Sequence, residues 1–438
     1  MGLSFPNPII DICKTLTDFG YEAYIVGGAV RDAILNRKNF DFDIATNAFP
    51  EEISRVFPKA KSYGDFGTML IIMENYKIEI TPYRNDAPGR KPHYIFGGTI
   101  YTDLSRRDFT INSIAYDPLK KQLIDPFDGL KDLENKIIRC TGSTKRIWED
   151  PLRAVRAARF QSQLGFYIHA NTLYAIKFQS ETITEISKER IRDELSKLLT
   201  GERPIDGLVT LIVTDLMKFI IPELLEGMGI MHNNKPYDVL EHILLTCQNI
   251  KNDLILRLTA LLHDIAKPRT MESKDGIIKF PYHHVKSAEL AREILKNLRF
   301  DKKTINTVTH LIENHMFFYY PDYPISEARK LVSEIGWENI YNLIELRIAD
   351  RKASGFSEPV SKGLKKLMEH LEIIKEEKSD YKIKDLKISG KDLMEELNIP
   401  EGPKIREILE FLLEKIIENP ELNQRESLLE IAKNYIKG

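Results

Sequence analysis

Gly27-Gly28-Ala29-Val30-Arg31-Asp32, followed by Phe40-Asp41-Phe42-Asp43-Ile44-Ala45, joins a turn that glycine makes cheaply to a strand carrying its charges on one face. The apolar run Tyr24-Ile25-Val26 just before it reads as a strand, and the residues after the glycines read as a helix over 28–36. Two glycines there let the backbone approach an anion, and the first N–H groups of the helix point at it. Arg31 would add a charge-assisted bond. Alone, such a turn is no more than a turn. Asp41 and Asp43 sharpen the reading, because residues i and i+2 of a strand project side by side. Two adjacent carboxylates repel, and one protonates unless the charge is compensated. A pair of Mg²⁺ ions resolves the repulsion, since hard cations take oxygen ligands and bridge phosphates. A bare Asp-x-Asp is equally a solvated strand end; the upstream Gly-Gly-x-x-Arg-Asp favours the metal. Glu79, on the alternating run Lys77-Ile78-Glu79-Ile80, offers a third carboxylate.

Around this nucleus, Met69-Leu70-Ile71-Ile72 reads as another strand, and helices are expected at about 8–19 and 50–57. Beyond residue 145 the pattern changes to helical spacing, as in Leu195, Leu198 and Leu199, or Leu254, Leu258, Leu261 and Leu262. The expected fold is therefore α+β: a small N-terminal head with a mixed sheet and helices, followed by a long all-α portion. Gly201-Glu202-Arg203-Pro204 and Ser357-Glu358-Pro359-Val360-Ser361-Lys362 are the expected joints.

The chain has 438 residues, too many for one ordinary core. A composition 42% hydrophobic and 29% charged is that of a soluble globular protein. No apolar run approaches the roughly 20 residues of a membrane span. The start, MGLSFPNPIIDICK, has no basic segment leading into an apolar one, so no export signal is expected. Cys13, Cys140 and Cys247 lie far apart without metal-ligand spacing, which fits free thiols in the cytoplasm. The net charge of −2 means that any polyanion is met by local patches rather than by the whole surface.

Leu104-Ser105-Arg106-Arg107-Asp108-Phe109-Thr110-Ile111-Asn112-Ser113 supplies paired arginines that suit a triphosphate or an RNA backbone, and Asn112 suits a sugar hydroxyl. An Arg–Asp network pinning a loop is the structural alternative. At this point the chain resembles the class II tRNA nucleotidyltransferases, which include bacterial CCA-adding enzymes and poly(A) polymerases. Residues 27–32 with 41–46 match the family's first motif, residues 106–117 its second, and Asp125-Pro126-Phe127-Asp128-Gly129-Leu130-Lys131-Asp132-Leu133 its third.

The resemblance continues through Glu149-Asp150-Pro151-Leu152-Arg153-Ala154-Val155-Arg156-Ala157-Ala158-Arg159-Phe160 and the neck motif Ile186–Ile191. It implies that Asp150 and Arg153 hydrogen-bond the base edge of the incoming nucleotide, with Arg156 and Arg159 on the same nucleotide-binding helix. An Asp acceptor and an Arg donor suit cytosine and adenine better than uracil or guanine. The implied activity adds CMP and AMP from CTP and ATP to the tRNA 3′ end, by in-line attack of the 3′-hydroxyl on the α-phosphate. Asp41 and Asp43 would hold the two metal ions. The implied parts are a head (1–142), a nucleotide-selecting neck (143–205), a helical body (206–356) and a tRNA-binding tail (357–438). The segment between Arg84 and Pro92 is shorter than in full CCA-adding relatives, which leaves a CC-adding enzyme as the second reading and poly(A) polymerase as the third.

His242, His263-Asp264, His283-His284, His310, His315 and Asp350 all fall in the body, and Leu261–Pro268 resembles the signature of HD-domain phosphohydrolases. The resemblance implies a divalent metal held by His242, His263, Asp264, His284 and Asp350. Such a body can carry phosphatase or phosphodiesterase activity, and a phosphohydrolase with a degenerate head is the reading from a different class. In the tail, Leu386–Leu393 and Gly402–Arg406 resemble the family's C-terminal region, where Lys404 and Arg406 near a helix start would meet tRNA phosphate.

Overall fold

The computed structural model describes residues 2–64, 67–73, 75–86, 94–231, 237–274, 277–377 and 380–437. The short loop expected to distinguish CCA from CC addition lies largely outside the described residues. The chain divides into Met1–Pro222 and Glu223–Gly438.

In the first unit, the strands of the head are, in chain order, β1 (Ala23–Val26), β2 (Asp41–Thr46), β3 (Lys61–Tyr63), β4 (Thr68–Met73), β5 (Tyr76–Pro82), β6 (Arg84–Asp86), β7 (Tyr94–Phe96), β8 (Ala115–Asp117) and β9 (Gln122–Ile124). Seven form one sheet in the order β3-β4-β5-β2-β1-β8-β9, while β6 and β7 pair separately. The sheet is mixed, since β2 and β5 run parallel and their other pairings are antiparallel. Ile25, Ile44 and Ile80 are paired across β1, β2 and β5, and each is fully buried. Burying such an aliphatic side chain is worth about 1.5–3 kcal/mol. That row locks the register, because a slip of one residue would turn Asp43 into the core and an isoleucine out of it. The helix Asn7–Asp18 buries Ile9, Ile12, Cys13 and Leu16, the spacing of one helical face, and packs on β1.

After the sheet, the helix Leu152–Leu164 packs on Lys188–Leu199 and on Pro204–Val213. Gly207 permits the second contact: a Cβ there would lie 2.7 Å from the carbonyl oxygen of Ala158. The second unit is mainly helical, with one core around Leu311, Leu343, Leu367 and Leu371 and another around Leu393, Ile408, Leu412 and Leu428. The fold class is the expected α+β, a sheet-bearing head followed by a mostly helical remainder. That remainder is not wholly helical. The stretches Glu272–Lys274 and Ile277–Lys279 form a hairpin, and Tyr167–Ile168 adds a short parallel strand to Ile137–Ile138.

Candidate active site

Gly27 adopts φ +72°, which non-glycine residues enter at a cost of roughly 1–2 kcal/mol. A Cβ on it would lie 2.8 Å from Nη1 of Arg107 and 3.3 Å from Oδ2 of Asp43, so the turn is pressed against both side chains. Gly28 begins the helix that runs to Ile34. Asp41 is exposed and Asp43 partly buried. In the parallel pairing, Asp43 stands opposite Glu79 and Asp41 opposite Lys77, which puts four charges on one face. Burial, with Glu79 and Asp41 adding to it and Arg107 and Lys77 opposing, pushes the Asp43 carboxyl up to about 6. Glu79 is gripped by Lys77 at 2.6 Å, and the three carboxylates do not close to a single ligand group among the described residues.

The paired arginines are both tied to the buried Asp103, at 2.7 Å from Arg106 and 3.0 Å from Arg107. That tether holds Arg107 beside Gly27 and Asp43. Arg31 is buried, bonded to its neighbour Asp32 and, at 2.8 Å, to Oδ1 of Asn112. Asn112 in turn donates to Asp108 at 3.1 Å, so both ends of its amide are engaged by protein. Burial would raise the Asp108 carboxyl, but Arg156, Asn112 and the N–H of Phe109 outweigh it and hold the group well below the usual carboxylate range. Arg31 and Asn112 are thus held by the protein behind the glycine turn.

Asp150 ends the helix Lys145–Glu149, and the helix Leu152–Leu164 follows. One of its oxygens receives the N–H of Leu152 at 3.2 Å, and the other pairs with Arg190 at 2.9 Å. Arg153 is spread over the carbonyls of Arg146 and Arg106 and the carboxylate of Glu149. The Arg106 contact joins this corner to the arginine loop. Arg156 pairs with Asp108 at 2.6 Å, and Arg159 pairs with Glu194 at 3.2 Å. Arg159 is 7% exposed, and burial lowers its pKa to about 10. It forms a buried joint between two helices. The third motif is structural as well: Asp125 accepts the N–H groups of Gly129 and Leu130, and Asp132 binds Thr110 and Arg139.

A separate polar centre lies within the second unit. His242, His263 and Asp264 form one group whose ligand atoms lie within 4.8 Å of one another, and Asp264, His283 and His315 form another. Asp264 is shared. Its oxygens stand 3.4 Å from Nε2 of His242, 3.2 Å from that of His263, 3.3 Å from that of His283 and 3.7 Å from that of His315. Asp350 reaches Nε2 of His242 at 3.1 Å, and Lys267 reaches Asp264 at 2.6 Å. Three of the rings are held alike. Nδ1 of His263, His283 and His315 lies 2.7–2.8 Å from the carbonyl of Ala260, Phe280 and Ile312, three residues back in each case. A carbonyl only accepts, so each Nδ1 carries a proton and each Nε2 faces Asp264. Burial, first, and the nearby His263 push His315 down to about 3, so it is neutral there. Burial alone would raise Asp264, but His263 and Lys267 hold it well below the usual range. Burial would lower His242, yet its bonds to Asp264 and Asp350 raise it.

This geometry corrects one member of the expected metal set. His283 enters the centre, and His284 does not; its ring packs 6.4 Å from that of His315. His315 and Lys267 also belong, and His310 instead meets the carbonyl of Ile335 at 3.0 Å. What separates His283 from its neighbour is the carbonyl of Phe280, three residues back, which its Nδ1 meets.

Residues 23–139 match the family described as the poly A polymerase head domain, residues 165–228 the probable RNA and SrmB-binding site of polymerase A, and residues 269–432 a putative second domain of tRNA nucleotidyltransferase. A CCA-adding enzyme of Ligilactobacillus salivarius is 32% identical, with 98% of this chain and 96% of the relative covered. One from a Geobacillus species is also 32% identical, with 98% and 97% covered. The crystal structure of the Bacillus stearothermophilus CCA-adding enzyme in complex with CTP aligns over 98% of both chains at 27% identity, with a TM-score of 0.72.

Proposed function

Since this chain belongs to the family of CCA-adding enzymes, the tRNA nucleotidyltransferases, we propose that its head adds CMP and AMP, from CTP and ATP, to the 3′ end of tRNA. The observation that carries the reading is the carboxylate pair of β2 set against the Gly27 turn and the guanidinium of Arg107. Asp41 and Asp43 fit a divalent cation, Mg²⁺ in this reading: they are hard oxygen donors, and the Asp43 carboxyl, raised mainly by burial and further by Glu79 and Asp41, would gain from a cation beside it. Bound there, the ion supplies neutralisation of the substrate phosphates and of the pyrophosphate that leaves. The chain's own residues do the rest. The Gly27–Gly28 turn brings backbone N–H groups to the triphosphate, and Arg107, fixed by Asp103, meets its charge. Asp150 and Arg153 read the base edge, with Arg190 holding the Asp150 carboxylate in place. Residues 143–205 act as the selecting neck and 357–438 as a tRNA-contacting tail, where exposed Lys404 follows Pro403 at a helix start.

The histidine centre supports a second reading. It fits a divalent metal, because among the described residues the buried Nε2 atoms of His263 and His283 receive no hydrogen bond. His242, His263, Asp264, His283, His315 and Asp350 would hold it. A metal there supplies Lewis acidity for phosphoester hydrolysis, in which water's oxygen replaces an ester oxygen on phosphorus and the departing oxygen takes the proton. No described helix is long and apolar enough to cross a membrane, and a cytoplasmic site of action completes the proposal.

The test uses tRNA transcripts ending at the discriminator base, at -C and at -CC, incubated with Mg²⁺ and CTP, ATP or both. Growth of all three to -CCA is expected. Arrest at -CC makes this a CC-adding enzyme, and no extension at all refutes the transferase reading.

A further inference from the structure

The histidine centre has one open side. The side chains of His242, His263, Asp264, His283 and His315 are each at most 8% exposed, whereas that of Asp350 is 18% exposed. Arg347 stands one turn before Asp350 on the helix Trp337–Ala353, itself 20% exposed, with Nη1 3.3 Å from Oδ2 of Asp350. Its guanidinium carbon lies 5.6 Å from the ring centroid of Phe318, which is 62% exposed and follows His315 by three residues.

We propose that Arg347, steadied by Phe318, is the phosphoryl-binding residue at the entrance of this centre and that the centre takes a phosphate-bearing ligand. The proposal rests on the reading of the centre as a divalent-metal site. A simple helix ion pair explains Arg347 poorly. Asp350 already has His242 at 3.1 Å, and the contact to Arg347 is long for a charge-assisted bond. Among the described residues, Nε and Nη2 of Arg347 have no protein partner, so the planar donor fork is still available to a tetrahedral anion. Charge points the same way. With neutral rings, which ligation requires, the carboxylates of Asp264 and Asp350 are balanced by Lys267 and Arg347. One divalent ion then leaves the centre two charges positive, the complement of a phosphate dianion. The ring of Phe318 steadies the guanidinium beside Asp350 at the mouth.

The experiment uses the full chain carrying Asp41→Ala and Asp43→Ala, which silences the head's own metal and phosphate site. Mn²⁺ content is measured after dialysis, and orthophosphate binding to the Mn²⁺-loaded protein is measured by calorimetry. The expected result is bound Mn²⁺, phosphate affinity that falls roughly ten-fold or more with Arg347→Gln, and partial recovery with Arg347→Lys, as for loss of a charged hydrogen bond. Unchanged phosphate affinity in Arg347→Gln overturns the proposal. So does loss of Mn²⁺ in that variant, which would make Arg347 a support for Asp350. Mn²⁺ binding without phosphate binding defeats this inference alone, while absence of both defeats the metal reading beneath it.

Discussion

Replacing Asp43 by Asn should weaken the head's loss of stability with rising pH when no metal is present. Burial, with Glu79 and Asp41 beside it, pushes the Asp43 carboxyl from its ordinary 3.8 up to about 6. A group whose folded pKa is raised contributes stability that is complete below the unfolded value and lost as pH rises through the folded one. The full span is about 3 kcal/mol, from roughly 1.36 kcal/mol per pH unit. Between pH 5 and pH 8, where most titration of other carboxylates is over, the loss is about 1.4 kcal/mol. Asp43→Asn removes that loss, so its advantage over the natural protein should grow by about 1.4 kcal/mol across the same interval. The assay is urea unfolding in EDTA at both values. Trp148 and Trp337 are the only tryptophans, so Trp337→Phe leaves a reporter in the first unit alone. Mg²⁺ at pH 8 should then stabilise the protein with Asp43 and leave the Asn variant nearly unmoved, because only the former gains a ligand to the ion. A difference between the two proteins that does not change with pH, or that changes in the opposite direction, would refute the reasoning.

Gly27→Ala should lower kcat at least ten-fold with a smaller change in the KM for tRNA, since its methyl group would meet Arg107 Nη1 at 2.8 Å and the φ of +72° costs roughly 1–2 kcal/mol; steady-state kinetics on a -CC transcript checks it. Arg159→Met should destabilise the first unit by about 1–3 kcal/mol, because buried Glu194 keeps only its longer contact to Arg156 at 3.7 Å, and adding Glu194→Leu should recover part of the loss in thermal unfolding. Asp150→Ala should reduce discrimination against UTP by roughly ten-fold or more, the worth of a base-edge contact, as read by sequencing extended 3′ ends. Preserved selectivity in that variant would move base reading elsewhere.

The parts of the head that one strand or one turn determines are legible in the sequence. Asp41 and Asp43 share a face because strand periodicity requires it, and Gly27 fits its turn because few other residues do. Partners set by the sheet are not legible in this way. Asp43 meets Glu79 through a parallel pairing of strands separated in sequence by β3 and β4, so the neighbour of Asp43 is set by the sheet and not by its own strand. The three arginines at 153, 156 and 159 show the same limit. Their even spacing suggests equal roles, yet Arg153 binds backbone carbonyls, Arg156 neutralises Asp108 and Arg159 is buried against Glu194 on another helix.

In the histidine centre, by contrast, local backbone geometry decides which rings take part. His283 and His284 are indistinguishable by composition, but Tyr282 takes φ 52° and starts a helix at His283, bringing its Nδ1 to the carbonyl of Phe280. The same three-residue reach orients His263 and His315, so backbone carbonyls fix the protons of three rings without spending a side chain on any of them. Carboxylates are thereby left for the interior of the site. Asp264 then faces four imidazoles and Lys267 at once, an arrangement with little purpose for packing and a direct one for holding a cation. The three carbonyl contacts leave the Nε2 atoms of these rings facing Asp264, and the reading of the second centre as a metal site rests on that convergence.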